Sequence, residues 1–249
     1  MGAVTVVTSG KGGAGKSTVT AGLGIALARR GKRVLLIDGD AGLRSLDCML
    51  SVEENLLFDI ADVVAGNCEP IRAIYPCPHV QEGLFLLPAP AGEEDIVAPA
   101  VMRQLVPVLS PYYDHILIDS PAGIGRGFLS AVAAAQRALV VATPDLVCLR
   151  DCDRVRTLLL EKGIAAQRLV INRFSYRDFT EYAGNRDMDS VIDQAGIRLI
   201  AVIPEDAKLR GSFGNGLPYK RSWPAGQAFD RLAARLEGEN IPLAPLEKL

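Results

Sequence analysis

The chain has 249 residues, 49% apolar and 22% charged, which suits one large core and excludes a disordered chain. Twenty-seven Lys and Arg against 29 Asp and Glu leave a net charge of −2, which excludes a surface coated in positive charge. Glycine and proline, at 24 and 15, sit near average usage and exclude collagen-like or linker-dominated architectures.

In chain order, continuous apolar runs recur at 3–8, 33–37, 84–87, 115–118, 138–142, 168–171 and 198–203. Runs without alternation predict strands buried on both faces, as in a parallel sheet covered by helices. The clearest helix lies between the first two runs, over 17–30, where Val19, Leu23 and Leu27 repeat at i, i+4 and i+8. Arg29 and Arg30 fall at its negative pole, and Gly31 suits the position just past its end. Strands alternating with helices imply right-handed βαβ crossovers, hence an α/β fold with a doubly wound, mostly parallel sheet and helices on both faces. No repeat, low-complexity tract or Pro/Ser-rich linker interrupts 1–249, so a single domain is expected. Five cysteines without a CxxC pair, no signal-like opening and no apolar run near the ~20 residues that span a bilayer predict a cytoplasmic location.

The first expected strand runs into Gly10-Lys11-Gly12-Gly13-Ala14-Gly15-Lys16-Ser17, with Thr18 following, and this fits G-x-x-x-x-G-K-[ST]. Phosphates demand many donors in a small concavity. Glycines let the backbone turn its N–H groups inward, and the positive end of the next helix adds to the attraction. Lys16 would reach the β- and γ-phosphates, and the Ser17 hydroxyl would ligate Mg²⁺. Lys11 is a second cation within the loop, available to the nucleotide in cis, to a partner chain's nucleotide, or simply to solvent.

The second strand ends in Asp38-Gly39-Asp40. Ligands of open parallel sheets gather beyond the carboxyl ends of the strands, so both aspartates would be delivered to the phosphate crevice. There a cation needs oxygen ligands or held waters, and an attacking water needs orienting; an ordinary polar turn has the same composition. The strand at 115–118 delivers Asp119, an hhhD aspartate of the kind that supports the metal. Ser120-Pro121-Ala122-Gly123-Ile124 follows, where Gly123 lets the backbone approach the γ-phosphate. Phosphoryl transfer to water relies on positioning and charge neutralisation, so no Ser, Cys or His triad is required. His79 and His115 lack metal-ligand spacing, and His115 reads as structural.

Together these segments resemble the MinD/ParA superfamily of P-loop ATPases, whose phosphate loop is a deviant Walker A. The resemblance rests on 8–18, on 38–47, on 119–124 (D-S-P-A-G-I) and on 202–206 (V-I-P-E-D), and runs from Val4 to about Gly238. Segment 38–47 is similar to the MinD pattern D-x-D-x-G-L-R-N-L-D, with Ser45 in place of asparagine. The resemblance implies an ATP hydrolase that takes ATP/ADP with Mg²⁺, forms an ATP-dependent homodimer and acts as a nucleotide switch in division-site placement. It gives Lys11, Lys16 and Asp40 catalytic roles, with Lys11 reaching across the dimer and Asp40 positioning the attacking water. It puts Ser17 on the metal, with Asp38 and Asp119 acting through water. Asn172-Arg173 and Pro204 resemble the family's adenine-bordering positions. Asn172 carries a donor and an acceptor for a base edge, though asparagine at a strand end also occurs with no ligand.

Segment 143–154 is similar to the helix opening that in MinD receives MinC- and MinE-like regulators, with Arg150, Asp151 and Asp153 as the partner surface. Aspartates in a first helical turn are favourable without any partner. Cys148 and Cys152, at i and i+4, share a helix face and read as small buried residues. The 239–249 tail departs from the family pattern. One lysine against two glutamates and two prolines does not make a basic amphipathic helix, so a membrane surface is not expected to bind through it. The resemblance still allows a place at the inner face of the cell membrane when ATP is bound. Two relatives stand as alternatives. A DNA- or cargo-positioning ParA-like ATPase would use Lys208, Arg210, Lys220 and Arg221 around 211–223; the net charge gives that no help, and nucleic acid is not an expected partner. A flagellar-number regulator is disfavoured by the lack of an extension before Val4.

Overall fold

The computed structural model describes residues 2–42, 44–80, 82–90, 97–182 and 187–249; Leu43 of the 38–47 segment lies outside them. The strands are β1 (Ala3–Thr8), β2 (Val34–Asp38), β3 (Tyr75–Pro76), β4 (Leu84–Leu87), β5 (His115–Asp119), β6 (Arg137–Ala142), β7 (Ala166–Phe174) and β8 (Leu199–Pro204). The helices are α1 (Lys16–Ala28), α2 (Ser45–Met49), α3 (Ile60–Ala65), α4 (Pro99–Leu109), α5 (Arg126–Val132), α6 (Leu146–Glu161), α7 (Tyr176–Tyr182), α8 (Met188–Ala195), α9 (Ala207–Phe213) and α10 (Pro224–Leu236).

The strands form one eight-stranded sheet in the order β3-β4-β2-β5-β1-β6-β7-β8, parallel except for the β3–β4 edge pair. Every residue of β2 and β5 is buried, so both faces of the sheet centre are covered, as their unbroken apolar runs predict. From β1 the chain crosses β5 to reach β2, returns through β5, then moves to the other side through β6. The carboxyl ends of β1, β2 and β5 therefore border the point where the winding reverses, which is where such sheets bind ligands.

Two features tie α1 to this frame. Gly22 leaves room for the Phe229 ring of α10, where a Cβ would lie 2.3 Å from the ring. Tyr219 donates its hydroxyl to the Gly22 carbonyl at 3.0 Å, and the Arg29 guanidinium stacks 4.6 Å over the Tyr219 ring. Arg29 and Arg30 are thus tertiary ties as well as charges at a helix end: Arg29 donates to the Tyr219 carbonyl and Arg30 pairs with Glu239. The 239–249 tail lies against the body. The Tyr176 N–H donates to the Leu249 carbonyl at 3.3 Å, and Leu246 and Leu249 pack on the core. Among the described residues, no helix is long and apolar enough to cross a membrane.

Candidate functional site

The loop from β1 to α1 and the first turn of α1 hold the residues of the G-x-x-x-x-G-K-[ST] motif. Gly15 caps α1 with φ +89, a left-handed backbone that a residue with Cβ adopts at a cost. A Cβ there would also stand 2.2 Å from Asn172 Nδ2. Gly10 is constrained differently: a Cβ would fall 2.5 Å from Asp151 Cβ and 2.7 Å from the Asp151 carbonyl, so the loop lies directly on α6. Gly12 and Gly13 are exposed at the tip, beside Lys11, and Ala14 is buried beneath it. Thr18 is half-buried in the first turn of α1.

The two lysines have different surroundings. Lys16 is 7% exposed and donates to Ser9 Oγ at 3.3 Å, while Ser9 donates to the Lys11 carbonyl at 2.7 Å. Lys11 projects to the surface and pairs with Asp145, the N-cap of α6, at 3.5 Å with both side chains 47% exposed. Burial raises the Asp145 carboxyl, but the Thr143 hydroxyl, the Cys148 N–H and Lys11 outweigh it and hold the pKa below the ordinary value.

Parallel pairing sets Asp38 of β2 beside Asp119 of β5. Both are buried, at 2% and 0% exposure. Burial first, and the neighbouring Asp119 second, push Asp38 up to about 8. Burial also lifts Asp119 to about 6, against the Ser17 hydroxyl, the Lys16 ammonium and the Thr20 hydroxyl, which favour its charged form. Two adjoining buried carboxylates, both costly to ionise, form the electrostatic complement of a divalent cation.

Their oxygens are used differently. Asp38 Oδ1 accepts the Asp40 N–H at 2.9 Å and Oδ2 the Leu46 N–H at 3.4 Å, so this carboxylate organises the loop that carries Asp40. Asp119 Oδ1 accepts from Thr20 at 3.1 Å, whereas Oδ2 is buried and makes no hydrogen bond among the described residues. An orphaned, buried oxygen on the carboxylate that faces Ser17 fits magnesium in its chemistry: oxygen donors and partial charge neutralisation. When bound, the cation would supply charge neutralisation of the phosphate oxygens, with Ser17 and Asp119 holding it. Asp40 is half-buried in the loop after β2, and Gly123, with φ +81, sits in the loop after β5.

The β7–β8 ladder is irregular between Ile171 and Phe174, and this bulge places Asn172 and Arg173. Asn172 is 4% exposed and donates to the Ala14 carbonyl at 2.9 Å; Arg173, at φ +56, donates to the Gly13 carbonyl at 3.4 Å and pairs with Glu205. Both side chains thus hold the phosphate loop itself. Pro204 is buried at the end of β8, opposite Phe174. The sequence pattern alone did not reveal this loop-holding use of Asn172, nor the Thr20 and Asp145 contacts, although Thr20 lies i+3 from Ser17 and so shares its helix face.

On α6, Arg150 is exposed, Asp151 packs on Gly10, and Asp153 is occupied by Arg156, which donates twice, at 2.9 and 2.8 Å. Leu146 and Val147 are exposed at the start of the same helix. Cys148 and Cys152 are both buried. In the basic cluster, Arg210 pairs with Glu205 and Arg221 with Asp230, which cancels two of the four charges a nucleic-acid patch there would use.

The CobQ/CobB/MinD/ParA nucleotide binding domain matches residues 5–219. The septum site-determining protein MinD of Thermotoga maritima is 40% identical over 248 residues, spanning 98% of this chain and 91% of that protein. Among solved structures, the MinC:MinD cell division protein complex of Aquifex aeolicus superposes with a TM-score of 0.89 at 38% identity, covering 98% of both chains. The septum site-determining protein MinD of Pyrococcus horikoshii, complexed with Mg-ADP, gives 0.84 at 32% identity over 95% of this chain and 96% of that one. The phosphate loop, the paired aspartates and these full-length likenesses agree: the chain belongs to the MinD family, within the MinD/ParA nucleotide-binding superfamily.

Proposed function

We propose that this MinD-family ATPase works in division-site placement by closing, with ATP and Mg²⁺, into a homodimer that opens again after hydrolysis. The observation that supports this reading is the state of Lys11. It stands at the tip of the phosphate loop, where a half-exposed ion pair to Asp145 is its salt bridge among the described residues. A surface pair of this kind contributes roughly 0–1 kcal/mol, so a phosphate of a second copy's nucleotide can displace it.

In this reading Lys16 binds the β- and γ-phosphates in cis, and Lys11 neutralises developing charge from the partner copy. Ser17 and Asp119 hold the metal. Asp40 orients the attacking water, and Asp38 fixes the Asp40 loop through its backbone bonds. Hydrolysis transfers the γ-phosphoryl group to that water, giving ADP and phosphate; the proton leaves with the phosphate product. Arg173 and Pro204 border the base, while Asn172 keeps the loop in its binding shape. The exposed Leu146, Val147 and Arg150, with Asp151 and Asp153, form the face offered to a MinC-like regulator and to a MinE-like activator.

Light scattering of purified protein tests the dimer. Asp40→Ala with Mg·ATP should double in mass, Lys11→Ala should stay monomeric while still binding ATP, and Lys16→Ala should not bind nucleotide. A monomeric Asp40→Ala protein saturated with ATP would overturn the switch, and normal ATP affinity in Lys16→Ala would overturn the loop assignment.

A further inference from the structure

The buried hydroxyl of Thr20 belongs to no binding role described above, yet it is fully enclosed and stands at a carboxylate with a buried, unused oxygen. Thr20 is 0% exposed, and its Oγ1 lies 3.1 Å from Asp119 Oδ1 and 3.0 Å from the Lys16 carbonyl oxygen. A hydroxyl has one proton for these two acceptors. The Lys16 carbonyl, one turn back, is already the regular partner of a helical N–H, whereas the carboxylate gains a charge-assisted bond about twice as strong as a neutral one. The proton therefore goes to Asp119. The Lys16 carbonyl is the weaker arm of a shared bond from the same hydroxyl, and β-branching leaves the Thr20 side chain few rotamers.

An aspartate χ2 is a soft, roughly two-fold torsion, so an unheld Asp119 carboxylate would turn and exchange its oxygens. Thr20 pins Oδ1. The other oxygen, Oδ2, is left buried and without a partner on the same carboxylate that faces Ser17. We propose that Thr20 is a positioning residue for the magnesium site, orienting Asp119 so that Oδ2 meets the hydration shell of the metal. This rests on the ATPase reading of the site and adds a residue to it. Ser17 and Thr20 then divide the work of one helix face: the first hydroxyl ligates, and the second holds the supporting carboxylate.

Manganese is the probe, its free ion read by electron paramagnetic resonance in the presence of saturating ADP. Wild type, Thr20→Val, Thr20→Cys and Thr20→Ser are compared, with circular dichroism confirming the fold and ADP affinity in EDTA measured separately. Valine keeps the branched shape and volume and removes the donor, and cysteine puts a poor donor in place of the hydroxyl. Both should weaken manganese binding about 10- to 100-fold, as loss of an outer-shell partner does, while serine restores it. Metal-free ADP affinity should stay within about twofold, because the phosphate loop is untouched. A purely structural Thr20 would leave Thr20→Val or a folded Thr20→Cys with wild-type manganese affinity, and that result would overturn the proposal. Equal losses of metal-free ADP affinity and manganese affinity would overturn it too. A wild-type protein that binds ADP without manganese would instead sink the metal site itself.

Discussion

Replacing Asn172 with alanine separates two uses of one side chain. In the structure its Nδ2 donates to the Ala14 carbonyl at 2.9 Å, and Ala14 is 2% exposed, so water has little access to take over that bond. Losing the donor removes a net hydrogen bond and strands a buried acceptor, together on the order of 2 kcal/mol. For a chain of this length that lowers the thermal midpoint by roughly 4–8 °C. If the whole loss also falls on the shape of the nucleotide-free loop, ADP affinity weakens by at most about 30-fold. If the side chain acts through this loop contact, GDP affinity should weaken by the same factor as ADP affinity. Titration calorimetry of wild type and Asn172→Ala with both nucleotides, beside thermal melts, gives all the needed numbers. A selective loss for ADP, with GDP unchanged, would show base reading and refute the loop-anchor argument; an unchanged melting point would refute the energetic one.

Three further outcomes follow from the same geometry. Gly10→Ala sets a methyl 2.5 Å from Asp151 Cβ, so urea denaturation should show a loss of about 1–3 kcal/mol, and a variant as stable as wild type would mean the loop can step off α6 freely. Asp119 is lifted by burial from 3.8 to about 6, so the folded chain binds more protons than the unfolded one in that window and its stability falls as pH rises through it. Asp119→Asn removes this penalty: relative to wild type the metal-free variant should gain stability from pH 4 to 6, by on the order of 3 kcal/mol, then level off, and a flat difference would contradict the assigned burial cost. A thiol reagent should modify the exposed Cys48 first and the half-buried Cys68 next in the native protein, reaching Cys77, Cys148 and Cys152 only in denaturant; rapid native labelling of Cys148 would contradict its enclosure.

The sheet was largely readable because buried parallel strands leave unbroken apolar runs. β1 and β4 coincide with their expected bounds, and β2, β5, β6 and β8 differ by a residue at one or both ends. β3 escaped because it is two residues long and one is Pro76, at home only on an edge. β7 extends past its apolar run to Phe174 because its outer residues are held by β8 across a bulge rather than by a uniform core. At the site, the glycine pattern and the strand-end aspartates were legible since both follow from local backbone needs. Asn172 was legible as a candidate but not in its contact, since the partner carbonyl lies 158 positions away. The Lys11–Asp145 pair was hidden for the same reason.

The seat of the phosphate loop on α6 has a mechanical consequence. Asp151 bears on Gly10 from below, while Asp145 holds Lys11 from the side, and both belong to the opening turns of one helix. A protein that grips this helix end has a lever one side chain long on the nucleotide. It need not send a signal through the sheet: tilting or clamping those two turns is itself a change in how the loop grips its phosphates.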